Sequence, residues 1–335
     1  MHLTLVRHGE STWNATDQWQ GQSDVPLSPR GQLQARALAT RMFGDVFDRR
    51  LCSDLSRARD TAAALGEAAP EPRFREIDVG EWAGLHHREV AERFPDEVAG
   101  LRAGRPVRIG GGESMPEFEG RIDEALDELR AGCAGQRVLV VTHGGVVLAI
   151  ARRILGRRGR PSALVGVGNT SLTRVRCERA ALRLETYNDG VHLDAADLAP
   201  SVSPEDTLRL ALIAADPRAG GDRALADALL SGLGIARIAA AGAAREAALC
   251  AELSAEPLCE GAAGALAALR AEQEHGACAL VLAPDEARAL VADLLGLDEG
   301  GRAALVPPAH GAVAQLRLSG RGALLHSYGV SLSWP

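Results

Sequence analysis

The run RVLVVTH at 137–143 passes without a break into GGVVLAIARRIL. A strand that is apolar at successive positions has no face to give to water, so it belongs inside a sheet covered on both sides. The helix that starts directly after it supplies one of the covers. The same alternation recurs along the chain. LTLV at 3–6 leads to a helical pattern over 28–42, with Leu33, Ala37 and Met42 on one side. Ser28-Pro29 reads as an N-cap followed by proline at the first helical position. RRLCSD at 49–54 precedes a helix through Arg57 to Leu65, and a polar helical stretch over 86–103 forms part of a cover. Ser114, with Glu117 three residues on, opens a helix over 114–131 in a capping-box pattern. SLTRVRC (171–177) and LRLETYN (182–188) read as closing strands. Short β runs alternating with helices predict an α/β fold, a three-layer α/β/α sandwich around a mostly parallel sheet.

A composition break follows Asp197, where LAPSVSPED carries two prolines and two serines and reads as a linker. The expected organisation is a first domain over 1–197, a linker over 198–206 and a smaller second domain over 207–335. The second part repeats the first. LRLALIAAD (208–216) matches MHLTLVRHG (1–9), and ACALVLAPDEARALVADLLG (277–296) matches QRVLVVTHGGVVLAIARRILG (136–156). RAALVPPAHGAVAQLRLSGRGALLHSYG (302–329) matches PSALVGVGNTSLTRVRCERAALRLETYND (161–189). Three blocks in one order point to a smaller, degenerate copy of the same α/β fold.

Composition excludes several classes. Of the 335 residues the charged ones sum to a net −7, without the basic face that a nucleic-acid partner needs. The cationic run Arg152, Arg153, Arg157, Arg158 and Arg160 reads as a solvated helix end, where cations suit the dipole. No apolar run approaches the length of a membrane span. Six cysteines without CxxC spacing fit a reducing compartment. A core strand within three residues of Met1 leaves no room for a signal peptide, so the expected location is cytoplasmic.

The chemistry lies at two strand ends. LTLV runs into Arg7-His8-Gly9, and VLVVT into His143-Gly144-Gly145. Ligands of open α/β sheets sit at such carboxyl ends, and the glycines, Gly144 among them, let a substrate approach the backbone. Arg7 adjoins His8, and SDLSRARDTA puts Arg57 at the start of a helix. Guanidinium forks suit phosphate oxygens. Two arginines and two histidines around one point make a site for a dianionic phosphoryl group, with one imidazole free to attack phosphorus and give a phosphohistidine. The leaving alkoxide needs a proton, and REIDVGEW offers Glu76, Asp78 and Glu81 as general acids.

LVRHGESTWN (5–14), QGQSDVPLSPRGQLQA, SDLSRARDTA, REIDVGEWAGL, GGES, VVTHGG and YNDGVHL, in this order, resemble the histidine phosphatase superfamily, the phosphoglycerate-mutase-like family. The resemblance covers residues 1–195. It implies His8 as nucleophile and places Arg7, Arg57 and His143 in the phosphate pocket, with Asn14 as a further polar contact. It implies Gln20 and Gly21 at the substrate mouth. It selects Glu76 as proton donor, from its place in the E-x-x-x-G pattern ending at Gly80. It implies no metal and no cofactor. GQSDVPL and YNDGVHL resemble the broad-specificity and α-ribazole phosphate phosphatase branch, and Gly21-Gln22 stands where mutases of the family read GW.

The expected activity is therefore hydrolysis of a small phosphorylated metabolite, with phosphoglycerate-type mutation as the alternative reaction. In the second part Ala214 and Ala215 stand at the positions of Arg7 and His8, Pro284 at that of His143, and no arginine near Ala244 and Arg245 is in register with Arg57. This reads as a pseudo-phosphatase domain. Its expected role is that of an intramolecular pseudo-dimer partner or, from another class, a regulatory or binding module.

Overall fold

A computed structural model of the chain describes residues 1–156, 164–178, 181–196, 198, 208–216, 218, 219, 235, 237–242, 244, 248–257, 261–272, 276–319 and 322–331. Arg157, Arg158, Arg160, Arg245 and all of the expected linker except Leu198 lie outside them. The backbone divides into two units. The first holds Met1–Pro161, Gly166–Leu182 and His192–Ala199, and the second holds Ser162–Val165, Arg183–Val191 and Pro200–Pro335.

The first unit is built on strands β1 (His2–Arg7), β2 (Arg49–Cys52), β3 (Ala69–Pro70), β4 (Arg137–Thr142) and β5 (Leu172–Glu178). Its sheet runs β3-β2-β4-β1-β5. The first four strands are parallel, and β5 is antiparallel to β1. The helices are α1 (Thr12–Ala15), α2 (Pro29–Arg41), α3 (Ser56–Ala63), α4 (His87–Arg93), α5 (Pro95–Arg102), α6 (Met115–Gly132), α7 (Gly144–Ile154) and α8 (Val191–Ala195). Val6, Leu139, Val141 and Leu172 form one face of the sheet and pack with Leu38 of α2 and Ala58 and Ala62 of α3. By the alternation of strand side chains, the buried Leu5, Val138 and Val140 face the other way. On that side α7 meets β1 and α6. The expected α/β/α sandwich is present, with a mixed sheet.

Local signals explain the ends. Ser28 and Ser114 accept from the backbone N–H of Gly31 and Glu117, as N-caps do. The polar stretch 86–103 is two helices rather than one. Phe94 precedes proline, is barred from the helical region and sits at φ −127°, ψ 49°. Arg153, in the last turn of α7, pairs with Asp123 and Asp127 of α6.

The second unit contains most of β6 (Ala181–Asp189) together with β7 (Leu208–Ala214), β8 (Arg237–Ala240), β9 (Glu256–Pro257), β10 (Gly276–Leu282), β11 (Ala312–Ser319) and β12 (Gly322–Ser331). Its order is β6-β12-β11-β7-β10-β8-β9. Strands β7, β10, β8 and β9 run parallel, and β11 is antiparallel to β7. Its helices are α9 (Ala248–Glu252), α10 (Ala262–Glu272), α11 (Pro284–Leu294) and α12 (Glu299–Ala304). Two sets of contacts inside this unit are reciprocal. Val165 N–H donates to the Leu325 carbonyl at 2.8 Å, and Val306 N–H to the Leu184 carbonyl at 3.1 Å. The Tyr187 hydroxyl donates to the Val165 carbonyl, and the Tyr328 hydroxyl to the Val306 carbonyl, each at 2.6 Å. Tyr187 and Tyr328 pair with each other between β6 and β12.

The register corrects one expectation. Arg7 pairs with Thr142 and Ala214 with Leu282, so the residue after β10 is Ala283. Ala283 caps α11 as His143 caps α7. By strand register the residue that follows β10, as His143 follows β4, is Ala283 rather than Pro284; the chemically unlike helix starts GGV and PDE conceal the one-residue slip.

Candidate active site

Strands β1 and β4 lie side by side and parallel, which brings the residues after them together. His8 N–H donates to the Thr142 carbonyl at 2.8 Å, and the rings of His8 and His143 lie 5.1 Å apart at 62°. Both side chains are buried. His8 Nδ1 stands 2.6 Å from the Gly9 carbonyl. A carbonyl only accepts, so Nδ1 carries the ring proton and Nε2 keeps its lone pair. Burial, then the charges of Arg57 and Arg7, hold the His8 pKa well below its ordinary value, against the opposing Gly9 hydrogen bond. His143 is held well below in the same way, by burial first and then by Arg57, His8, Arg7 and Arg121. Both rings are neutral at neutral pH.

Arg57 is fully buried at the start of α3. Its terminal nitrogens donate to the carbonyls of Ser23 at 2.7 Å and Gly21 at 2.8 Å. Burial pushes its pKa down to about 10, a shift that Glu76 and Asp24 oppose. Arg7 donates to the Val167 carbonyl. Each guanidinium keeps its Nε buried and without a partner among the described residues, as does Nδ1 of His143. The second ring nitrogen of His143, Nε2, lies 2.8 Å from the hydroxyl of Ser53.

Of the three candidate acids, Glu76 is the one at this cluster. Its carboxylate accepts from Gly145 N–H, in the first turn of α7, and from Ile77 N–H, both at 3.0 Å. A methyl group at Gly145 would lie 2.1 Å from the Glu76 Oε1, so the carboxylate can occupy this place only beside a glycine. Asp78 accepts from Gly80 N–H within its own turn, and Glu81 is exposed. Gly144 lies against Arg7, with room for a methyl group at 3.4 Å from its Nε.

The expected mouth residues have inward contacts. Gln20 accepts from the Ser11 hydroxyl at 2.8 Å. Gly21, at φ +49°, packs against Val79 and offers its carbonyl to Arg57. Asn14 accepts from Ser11 N–H at 3.2 Å and from the Asn169 side chain at 3.4 Å. Asn169 also donates to the His8 carbonyl at 3.0 Å. Sequence reasoning did not single out Asn169, Ser53 or Arg121. Ser53 and Arg121 accompany quoted motifs, SDLSRARDTA and GGES, and Asn169 has only its place before β5.

The family model of the histidine phosphatase superfamily (branch 1) matches residues 3–190. A metal-independent phosphoserine phosphatase of Arabidopsis thaliana is 35% identical over 206 residues, 58% of this chain and 83% of its own. A protein of Photorhabdus laumondii named "Probable phosphoglycerate mutase GpmB" is 35% identical over 212 residues, 59% of this chain and 97% of its own. Among solved structures, a mycobacterial glucosyl-3-phosphoglycerate phosphatase in complex with VO3 aligns with a TM-score of 0.51 at 31% identity, covering 56% of this chain and 98% of that one. Among the described residues no helix is long and apolar enough to cross a membrane. Two strand-end histidines, two buried arginines and a carboxylate, within a region that the family model spans for more than half of the chain, make this protein a member of the histidine phosphatase superfamily.

Proposed function

We propose that the chain hydrolyses a small-molecule phosphate monoester, without a metal, through a phosphohistidine on Nε2 of His8. The observation that carries this reading is the grouping of Arg7, Arg57 and His143 around His8, each with one buried nitrogen, Arg7 Nε, Arg57 Nε and His143 Nδ1, that has no partner among the described residues. Buried donors are ordinarily satisfied, and the three non-bridging oxygens of a phosphoryl dianion are the acceptors they suit.

The lone pair on His8 Nε2 attacks phosphorus as the ester P–O bond breaks. The two arginines and His143 stabilise the equatorial oxygens in flight. Glu76, in its protonated form, gives its proton to the leaving oxygen, and the alcohol departs. The resulting carboxylate is met by the N–H groups of Gly145 and Ile77. It then takes a proton from water as that water attacks phosphorus, the P–N bond breaks and phosphate leaves.

The experiment is phosphate release from a panel of monoesters, including phosphoserine, 3-phosphoglycerate and glucosyl-3-phosphoglycerate, with EDTA present and His8→Ala beside the wild type. Release that survives EDTA and is lost in His8→Ala supports the reading. Transfer of the phosphoryl group to a second hydroxyl, without free phosphate, would replace it with the mutase reading.

We further propose that residues 207–335 are a catalytically silent copy of the first part. The support is the order β9-β8-β10-β7-β11, which repeats β3-β2-β4-β1-β5, with Ala215 and Ala283 where the histidines stand. Covalent labelling by a phosphate donor tests this: His8→Ala should take no label, and label on the second part would end the idea.

A further inference from the structure

We propose that Glu113 and Arg121 are the positioning pair of the general acid: together they hold the backbone on both sides of Glu76 so that its carboxyl meets the leaving oxygen. The inference rests on the phosphatase reading above and adds to it two residues that carry no part of the phosphate pocket.

Arg121 belongs to α6, where Phe118, Ile122 and Leu126 are buried and its guanidinium stacks 5.3 Å over the Phe118 ring. From that anchored position it makes a fork with Glu113, Nε to Oε1 at 2.9 Å and Nη2 to Oε2 at 2.7 Å. The remaining donor capacity goes to one segment. Nη1 donates to the carbonyls of Arg73 at 2.7 Å and Arg75 at 3.0 Å, and Nη2 to the carbonyl of Glu76 itself at 3.3 Å. Glu113 closes the other flank. Its Oε2 accepts from Asp78 N–H at 2.9 Å, and its own N–H donates to the Asp78 carbonyl at 2.9 Å. The Gln22 amide adds a second donor to the Glu76 carbonyl at 3.3 Å.

One ion pair thus grips residues 73, 75, 76 and 78, while the Glu76 carboxylate reaches forward to Gly145. Both residues of the pair are about one-fifth exposed, at 20% and 21%, so water screens the fork only in part. A general acid works only within hydrogen-bond reach of the atom it protonates. The geometry gives the GGES segment a part in meeting that requirement. Ser114 starts α6, and Glu113 ties the start of that helix to the acid's own stretch of backbone.

The proton is needed in proportion to the basicity of the leaving oxygen. A nitrophenolate departs unaided, and an alkoxide does not. The test is therefore kcat/KM of the full chain across monoesters of rising leaving-group pKa, from p-nitrophenyl phosphate to phosphoserine, for wild type, Glu76→Gln, Arg121→Ala, Arg121→Lys and Glu113→Gln. The expected result is a loss on the alkyl ester about a hundredfold or more greater than on the nitrophenyl ester in Glu76→Gln, the low end of what general acids contribute, and at least about tenfold greater in Arg121→Ala, a part of that contribution, with partial recovery in Arg121→Lys. Glu113→Gln preserves side-chain size and carries the test if Arg121→Ala does not fold. An equal loss on every ester, or none, overturns the proposal and leaves the phosphatase reading intact. Phosphate release that does not depend on His8 overturns both.

Discussion

The hydroxyl of Ser53 lies 2.8 Å from Nε2 of His143, and both side chains are fully buried. Ser53 Oγ also accepts from Leu55 N–H at 3.4 Å. With the Ser53 proton given to Nε2, the imidazole carries its own proton on Nδ1, the nitrogen without a partner among the described residues. Ser53→Ala should lower kcat/KM for phosphate release between about five- and a hundredfold, the equivalent of about 1–3 kcal/mol for a lost buried partner. Ser53→Thr keeps the hydroxyl and should retain most activity. Wild-type rates in Ser53→Ala would show that the hydroxyl does not set the ring.

Gly145→Ala should disable the acid while leaving the fold standing. The added methyl meets a side-chain carboxylate that can swing away, not backbone. Activity on alkyl phosphates should fall about a hundredfold or more, the low end of a positioned proton donor, with Tm nearly unchanged. A large fall in Tm would mean that the α7 start itself cannot accept the methyl.

The two depressed imidazoles give stability a definite pH dependence. In the unfolded chain each binds a proton near pH 6.5, and in the folded chain only well below that. Between those values the unfolded state holds more protons. Stability is therefore fully present above the unfolded pKa and is lost as pH falls below it, by up to about 1.4 kcal/mol per pH unit for each ring. Urea unfolding of wild type and His143→Gln at several pH values below 7 checks the sign. The variant should lose stability less steeply, and equal slopes would contradict it.

Tyr187→Phe and Tyr328→Phe should cost alike. Both hydroxyls donate in matching 2.6 Å bonds to backbone carbonyls, and both rings are buried. Each loss should be about 1–2 kcal/mol, read from urea midpoints. A difference above about 1 kcal/mol, the net worth of a whole hydrogen bond, would argue against equivalence of the two segments.

Much of this site is visible in the chain before folding. His8 and His143 announce themselves because an apolar strand that ends in histidine and glycine is a local pattern. Arg57 follows from its place at a helix start beside β2. The supporting residues leave no such trace. Asn169 reaches the His8 carbonyl across 161 positions, and Arg121 reaches the Glu76 carbonyl across 45. Hydrophobic periodicity reports which face is buried, not which distant backbone oxygen a donor meets. Gly21 shows the same limit: the family pattern gives it a place, but the bond its carbonyl makes to Arg57 leaves no trace in the sequence. The slip at Ala283 has another origin, since strand pairing fixes that register and helix-start chemistry does not.

The reciprocal seam has a practical consequence for protein engineering. Residues 183–191 lie upstream of the proline-rich break, yet they belong to the second unit and share hydrogen bonds with residues 306 and 326 there. A truncation after residue 198 would therefore cut through a folded body rather than between two. It would strip β6 of β12 and leave an unpaired edge carrying Leu184 and Tyr187 open to other chains. Failure of such a fragment to stay soluble would report on that raw edge, and would say nothing about whether His8 and its partners need the rest of the molecule for chemistry.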